Sequence, residues 1–195
     1  MMKKLLAMIL AAILVASLCA CGSDSVDSGE TKDLKSQGGK TLIVYFSWSN
    51  NTDKMAGYVH DIVGGDIERI EPSEAYPEDY DATADLAKAQ RDNNERPSFN
   101  ALSLNPEDYD VIFIGYPIWW YELPMIMRTF FDTYDLSGKI IVPFNTHEGS
   151  GNSGTYDQIR ELEPKAEVLK GLAIRGGKIA DSRGEVESWL KAFGY

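Results

Sequence analysis

An α/β fold built on a parallel sheet with helices on both faces is what this sequence predicts, and three observations carry the prediction. Strand-like and helix-like segments alternate five times between Thr41 and the C-terminus, the pattern of parallel strands joined by crossover helices. The strongest strand candidates are near-continuous apolar runs rather than alternating ones, as strands buried on both faces require. Three connections that leave the carboxyl ends of these strands have unusual composition, and ligands of such sheets bind outside those ends.

Thr41 to Phe46 (TLIVYF) is the first strand. Met55, Val59, Ile62 and Val63 then recur at helical spacing until Gly64-Gly65 stops the helix. Asp66 to Ile70 is a short second strand. A polar stretch follows, with a helix expected over Ala82 to Gln90. Asp110 to Tyr116 (DVIFIGY) is the strongest strand, and Pro124 suits the first turn of the next helix, where its missing N–H is harmless. Lys139 to Phe144 is the fourth strand, with Asn145 to Thr155 as its exit loop, and Tyr156 to Leu162 is helical. Val168 to Ile174 is the fifth strand, weakened by Gly171. Val186, Trp189, Leu190 and Phe193 mark the inner stripe of a last helix.

The start of the chain has a different character. Lys3 and Lys4 precede an apolar, acid-free run from Leu5 to Leu18, the anatomy of a secretory signal. Leu18-Cys19-Ala20-Cys21 resembles a bacterial lipobox, which implies cleavage before Cys21 and acylation of that cysteine. Both cysteines of the chain lie there, so disulfide and thiol chemistry are not expected in the folded part. Gly22 to Lys40 offers almost nothing to bury and reads as a flexible tether, long enough to hold a domain a few tens of ångströms (~5–6 Å × √n) from a membrane. The expected organisation is a signal over 1–20, a tether over 21–39 beginning at the lipidated Cys21, and one domain over 40–195. With the two signal lysines set aside, 17 basic side chains face 30 acidic ones, a net of −13. That balance argues against nucleic acid and against adsorption to anionic lipid. Attachment to the outer side of the cell membrane is expected through the lipid alone.

The three loops describe a ligand. In Ser47-Trp48-Ser49-Asn50-Asn51-Thr52 three hydroxyls crowd the start of a helix, and no lysine or arginine lies in the stretch before Lys54. A helix mouth offers free N–H groups and a positive dipole end, so hydroxyls and backbone there can hold a phosphate without cations. Asn50 tolerates the left-handed backbone for which glycine is commoner. A plain helix cap by Ser49 or Asn51 is the competing reading. In Trp119-Trp120-Tyr121 three adjacent large aromatics cannot all enter a packed core, so at least one faces solvent or a planar ring. Glycines at 149, 151 and 154 let the third loop approach a ligand closely.

A phosphate at one end and a flat ring at the other lead to a resemblance. The first loop is similar to the phosphate loop of flavodoxins, and the run from Tyr116 to Gly154 resembles one bacterial flavodoxin-like family. The likeness extends from about Lys40 to the C-terminus. It implies a three-layer fold with strand order 2-1-3-4-5 and bound FMN. Carried over by position, Ser47, Ser49, Asn50, Asn51 and Thr52 would hold the phosphate. Pro117, Ile118, Trp119 and Trp120 would line the isoalloxazine, and Thr146, His147, Glu148, Gly149, Ser150 and Gly151 would border its pyrimidine side. Two departures stand out: Asn50 replaces the usual glycine, and no glycine lies near Tyr121, where many flavodoxins use one to stabilise the half-reduced flavin by a peptide flip.

The expected function is electron transfer by a membrane-tethered, extracytoplasmic FMN domain, with a protein or a small molecule as redox partner. The alternative is an FMN-dependent NAD(P)H or quinone-type oxidoreductase; the absence of a glycine-rich dinucleotide fingerprint favours the carrier. A flavin-free receiver-like module would need clustered acids at the ends of the early strands, where Ser47-Trp48-Ser49 stands instead. His147, the one group of the third loop that titrates near neutrality, is expected to tune the reduced flavin or to shape the loop.

Overall fold

The structure, a computed structural model, describes residues 32–195. The expected signal, Cys21 and the start of the tether lie outside the described residues. The elements are β1 (Thr41–Tyr45), α1 (Asn51–Val63), β2 (Asp66–Arg69), α2 (Tyr80–Asp92), β3 (Val111–Pro117), α3 (Met125–Thr133), β4 (Ile140–His147), α4 (Thr155–Leu162), β5 (Glu167–Val168), β6 (Leu172–Arg175) and α5 (Arg183–Lys191). All strand pairs are parallel, in the order β2-β1-β3-β4-β5, with β6 also paired to β4.

Strand periodicity distributes the core over two faces. Leu42, Val44, Ile112, Ile114, Tyr116 and Ile141 point to one side and meet Ile126, Met127 and Phe130 of α3 and Ile159 of α4. Ile43, Tyr45, Phe113, Val142 and Phe144 point to the other and meet Met55 and Val59 of α1 and Val186 and Leu190 of α5. Each such fully buried aliphatic or aromatic side chain is worth ~1.5–3 kcal/mol relative to exposure. Continuous apolar runs are therefore what β1 and β3 need.

Three elements differ from expectation. The fifth strand is two segments: Ile141 pairs with Val168 and Phe144 with Leu172, so three residues of the edge oppose two of β4. This is a bulge. It sits beside Pro143, which has no N–H to give the ladder, and Gly171 is required because a Cβ there would meet Pro143 O at 2.4 Å. β4 runs three residues beyond Phe144, because Asn145, Thr146 and His147 pair with Ala173, Ile174 and Arg175. Finally, Leu34 is 2% exposed, packs with the α1–α5 face and donates its N–H to Phe193 O at 2.9 Å. The last part of the expected tether is thus folded onto the domain, which begins before residue 40.

Candidate functional site

The carboxyl ends of β1, β3 and β4 are adjacent in the sheet, and their loops meet there. In the first loop Asn50 adopts φ 62 and stands at the N-cap of α1 without a side-chain capping bond. Neither Ser49 nor Asn51 caps the helix. Ser47, buried at the end of β1, does so from a distance, accepting the N–H of Asp53 at 3.2 Å. Asn50 O accepts from Lys54 N at 3.0 Å, which leaves the N–H groups of Asn51 and Thr52 at the open mouth of α1. Ser49 and Asn50 are exposed and Asn51 half-buried.

Thr52 is turned inward. Its hydroxyl is 2.8 Å from that of Thr146, both residues being buried, and this pair joins the first loop to the third. Ile118 N donates to Thr146 O at 2.8 Å, which adds the second loop to the same point. Three loops spread over 94 residues of sequence, from Thr52 to Thr146, therefore converge on Thr146. Its expected role at a ligand edge is accompanied by a structural one.

The aromatic run divides. Trp119 packs edge-on against Phe46 and Tyr76, at ring centroid distances of 5.3 and 4.9 Å. Trp120 and Tyr121 turn outward, 40% and 70% exposed. Reciprocal backbone bonds between Trp119 and Glu122 close a two-residue turn with φ 50 and 65 at its centre. This is the positive-φ turn that normally takes Asn or Gly. Trp120 is also tied to α2: its Nε1 donates to Ala84 O at 2.8 Å, and the Arg91 guanidinium lies 5.6 Å from its ring. The result is a cavity of about 350 Å³ between Trp48, Tyr80 and the Thr83–Ala87 face of α2 on one side, and Ile118 to Tyr121 with Glu148, Gly149 and Ser150 on the other. Tyr80 and α2 were absent from the sequence-based site. Their only signal is that the connection after β2 lies beside the loop of β1 once β2 occupies the sheet edge.

Under the third loop is a buried polar network. Asn145, fully buried, accepts from Tyr156 OH at 2.8 Å and donates from Nδ2 to Gly151 O at 3.3 Å. Tyr116 OH and Thr155 Oγ1 are 2.9 Å apart, and Thr155 donates to Asn152 O. Burial raises the phenols of Tyr116 and Tyr156 far above their ordinary range, so both stay neutral hydrogen-bonding groups. His147, at the end of β4, accepts the Gly149 N–H at 2.9 Å through Nδ1. Burial holds its pKa below the ordinary value, Arg175 adds to that, and Glu148 opposes it. Gly149 and Gly151 have φ 146 and 65, conformations in which the loop needs glycine. Pro117, half-buried, ends β3 opposite Thr146.

The flavodoxin family model matches residues 40–193. Among solved structures, a candidate flavoprotein from Bacteroides uniformis is 31% identical, with a TM-score of 0.68 over 79% of this chain and 99% of that one. A candidate flavoprotein from Bacteroides eggerthii is 28% identical, with a TM-score of 0.69 over 80% of this chain and 99% of that one. A flavoprotein from Lactobacillus acidophilus, crystallised in complex with FMN, is 26% identical, with a TM-score of 0.61 over 73% of this chain and 97% of that one. No curated protein matches the sequence.

Proposed function

The chain belongs to the flavodoxin family, its cofactor is FMN, and on that premise we propose that it carries electrons from an extracytoplasmic domain tethered to the membrane through Cys21. The observation that supports an FMN site is the convergence of the three loops on Thr146 beside the aromatic cavity. FMN supplies one- and two-electron redox chemistry when bound; binding, orientation and electrostatics fall to the chain. The mouth of α1 offers N–H donors and the hydroxyl of Ser49 to the ester phosphate. Ile118, Trp120 and the glycine loop flank a slot lined mainly by aromatic and aliphatic side chains, suited to a planar heterocycle. The exposed Glu148 carboxylate disfavours extra negative charge on the ring, while the N–H groups of Ser150 and Gly151 favour it, that of Gly149 being held by His147.

The test uses the domain from Lys32, since Leu34 is part of its core. Purified protein mixed with FMN should quench the flavin fluorescence at a one-to-one ratio and show two visible absorption bands. Folded protein that leaves FMN fluorescence unchanged would refute the reading. Photoreduction followed by absorbance, with NAD(P)H consumption measured beside it, separates the roles. Stepwise one-electron reduction with negligible NAD(P)H oxidation supports the carrier, and rapid NAD(P)H oxidation supports the FMN-dependent oxidoreductase. The tether is tested by mass spectrometry of the mature N-terminus. A thioether-linked lipid on Cys21, lost with membrane association in Cys21→Ala, is the expected result; an unmodified chain in the membrane fraction would contradict it.

A further inference from the structure

The first loop contains no cation before Lys54, yet one reaches it from the neighbouring strand. Arg69 is the last residue of β2, paired in register with Tyr45, and its side chain is 29% exposed. Its Nη2 donates to Ser47 O at 2.7 Å and its Nη1 to Asn50 Oδ1 at 3.3 Å. Nη1 is also 3.6 Å from Asp53 Oδ1, and the buried Nε lies 3.1 Å from Glu71 Oε1 without hydrogen-bond alignment. Asp53 is held from its other side by Tyr45 OH at 2.6 Å.

A loop that grips an anion through N–H groups must turn its own oxygens elsewhere. Here one guanidinium gathers two of them, Ser47 O and Asn50 Oδ1, and so presents the donor side of the loop to the ligand. Asp53 sits in the first turn of α1, where a carboxylate favours the helix but repels a bound dianion. Arg69 offsets that charge. Its partners on the loop bracket the left-handed Asn50, the position where this chain departs from glycine. We infer that Arg69 is a positioning residue that makes the first loop selective for a phosphorylated flavin over the same ring without its phosphate. The inference rests on the FMN reading above.

Hydrogen bonds to charged groups are worth ~1.5–3 kcal/mol, roughly 10- to 150-fold in affinity. The experiment measures dissociation constants for FMN and for riboflavin by fluorescence quenching, with urea denaturation of each protein. Arg69→Gln should weaken FMN by roughly tenfold or more and riboflavin by less than about threefold. Adding Asp53→Asn to Arg69→Gln should restore at least half of the logarithmic loss. Asp53→Asn alone, which keeps the oxygen that accepts from Tyr45, should tighten FMN and leave riboflavin unchanged. That arm holds even if Arg69→Gln folds poorly. Equal losses for both flavins in Arg69→Gln, or no change in FMN affinity in either single variant, would overturn the inference. Wild-type protein that binds neither flavin would overturn the FMN reading and the inference with it. Wild-type protein that binds riboflavin as tightly as FMN would overturn the selectivity alone.

Discussion

Replacing Tyr156 by Phe removes one oxygen atom and keeps the ring, so no cavity opens. The oxygen is the donor to Asn145 Oδ1, which is completely buried. Leaving a buried acceptor unpaired costs about 1–3 kcal/mol. At ~2–4 °C per kcal/mol for a domain of this size, a loss near the middle of that range lowers Tm by about 4–8 °C. Asn145→Ala removes the acceptor as well as the Nδ2 bond to Gly151 O, and it creates a small void, so ~3 kcal/mol or more is expected. The two losses should not add, because once either partner is gone the shared bond cannot be lost again; a coupling of about 1–2 kcal/mol is expected. Function should separate them further. Only Asn145→Ala releases the Gly151 carbonyl, so it should weaken FMN roughly tenfold while Tyr156→Phe changes it less than about threefold. Urea denaturation followed by tryptophan fluorescence gives the stabilities, and FMN titration gives the affinities. Additive stabilities, or equal losses of FMN affinity, would refute the view that Asn145 is the post on which the third loop hangs.

Glu163 ends α4 and is 7% exposed; burial, with Asp135 beside it, pushes its carboxyl up to about 7. A folded value above the unfolded one means the stabilisation is complete below about 4.5 and is lost as pH rises through 7. Glu163→Gln should therefore match wild type in acid and exceed it by about 1–3 kcal/mol in mild alkali, and parallel stability curves across that range would contradict the burial. Tyr121 is 70% exposed at φ 65. Tyr121→Gly should relieve about 1 kcal/mol of left-handed strain, partly offset by the greater chain entropy of glycine, so thermal melting should show equal or slightly higher stability; a clear loss would mean the phenol ring packs in a way its exposure does not reveal. His147 accepts from Gly149 through Nδ1 and so serves the loop only as neutral imidazole. Its lowered pKa means that stability present above 6.5 is lost as pH falls through the folded value. His147→Ala should flatten the acid limb of both stability and FMN affinity, and identical pH profiles, potentials included, would remove His147 from the site.

Local chemistry was enough for much of this molecule. β1 and β3 are buried on both faces, so any sheet containing them demands the apolar runs seen at Leu42–Phe46 and Val111–Tyr116. Asn50 was readable as a left-handed residue because its side chain tolerates that backbone where few others do. The run from Trp119 to Tyr121 was readable only in part: three large rings exceed what one core can accept, but the hollow between Phe46 and Tyr76 decided that Trp119 goes in. The split edge strand was not readable, since the bulge before Leu172 answers to Pro143 on another strand. Leu34 looked like part of a tether until α5 supplied the face that covers it.

What the sequence alone determined was the alternation of strands and helices, save for the split edge strand, and the three loops of unusual composition at the sheet's carboxyl ends, because these follow from periodicity and turn chemistry within a few residues. What only the tertiary structure decided was which side chains share a neighbourhood: Arg69 behind the first loop, Thr52 against Thr146, and α2 as the outer wall of the cavity. Those pairings depend on strand order, which brings together residues tens of positions apart, and no local preference encodes them.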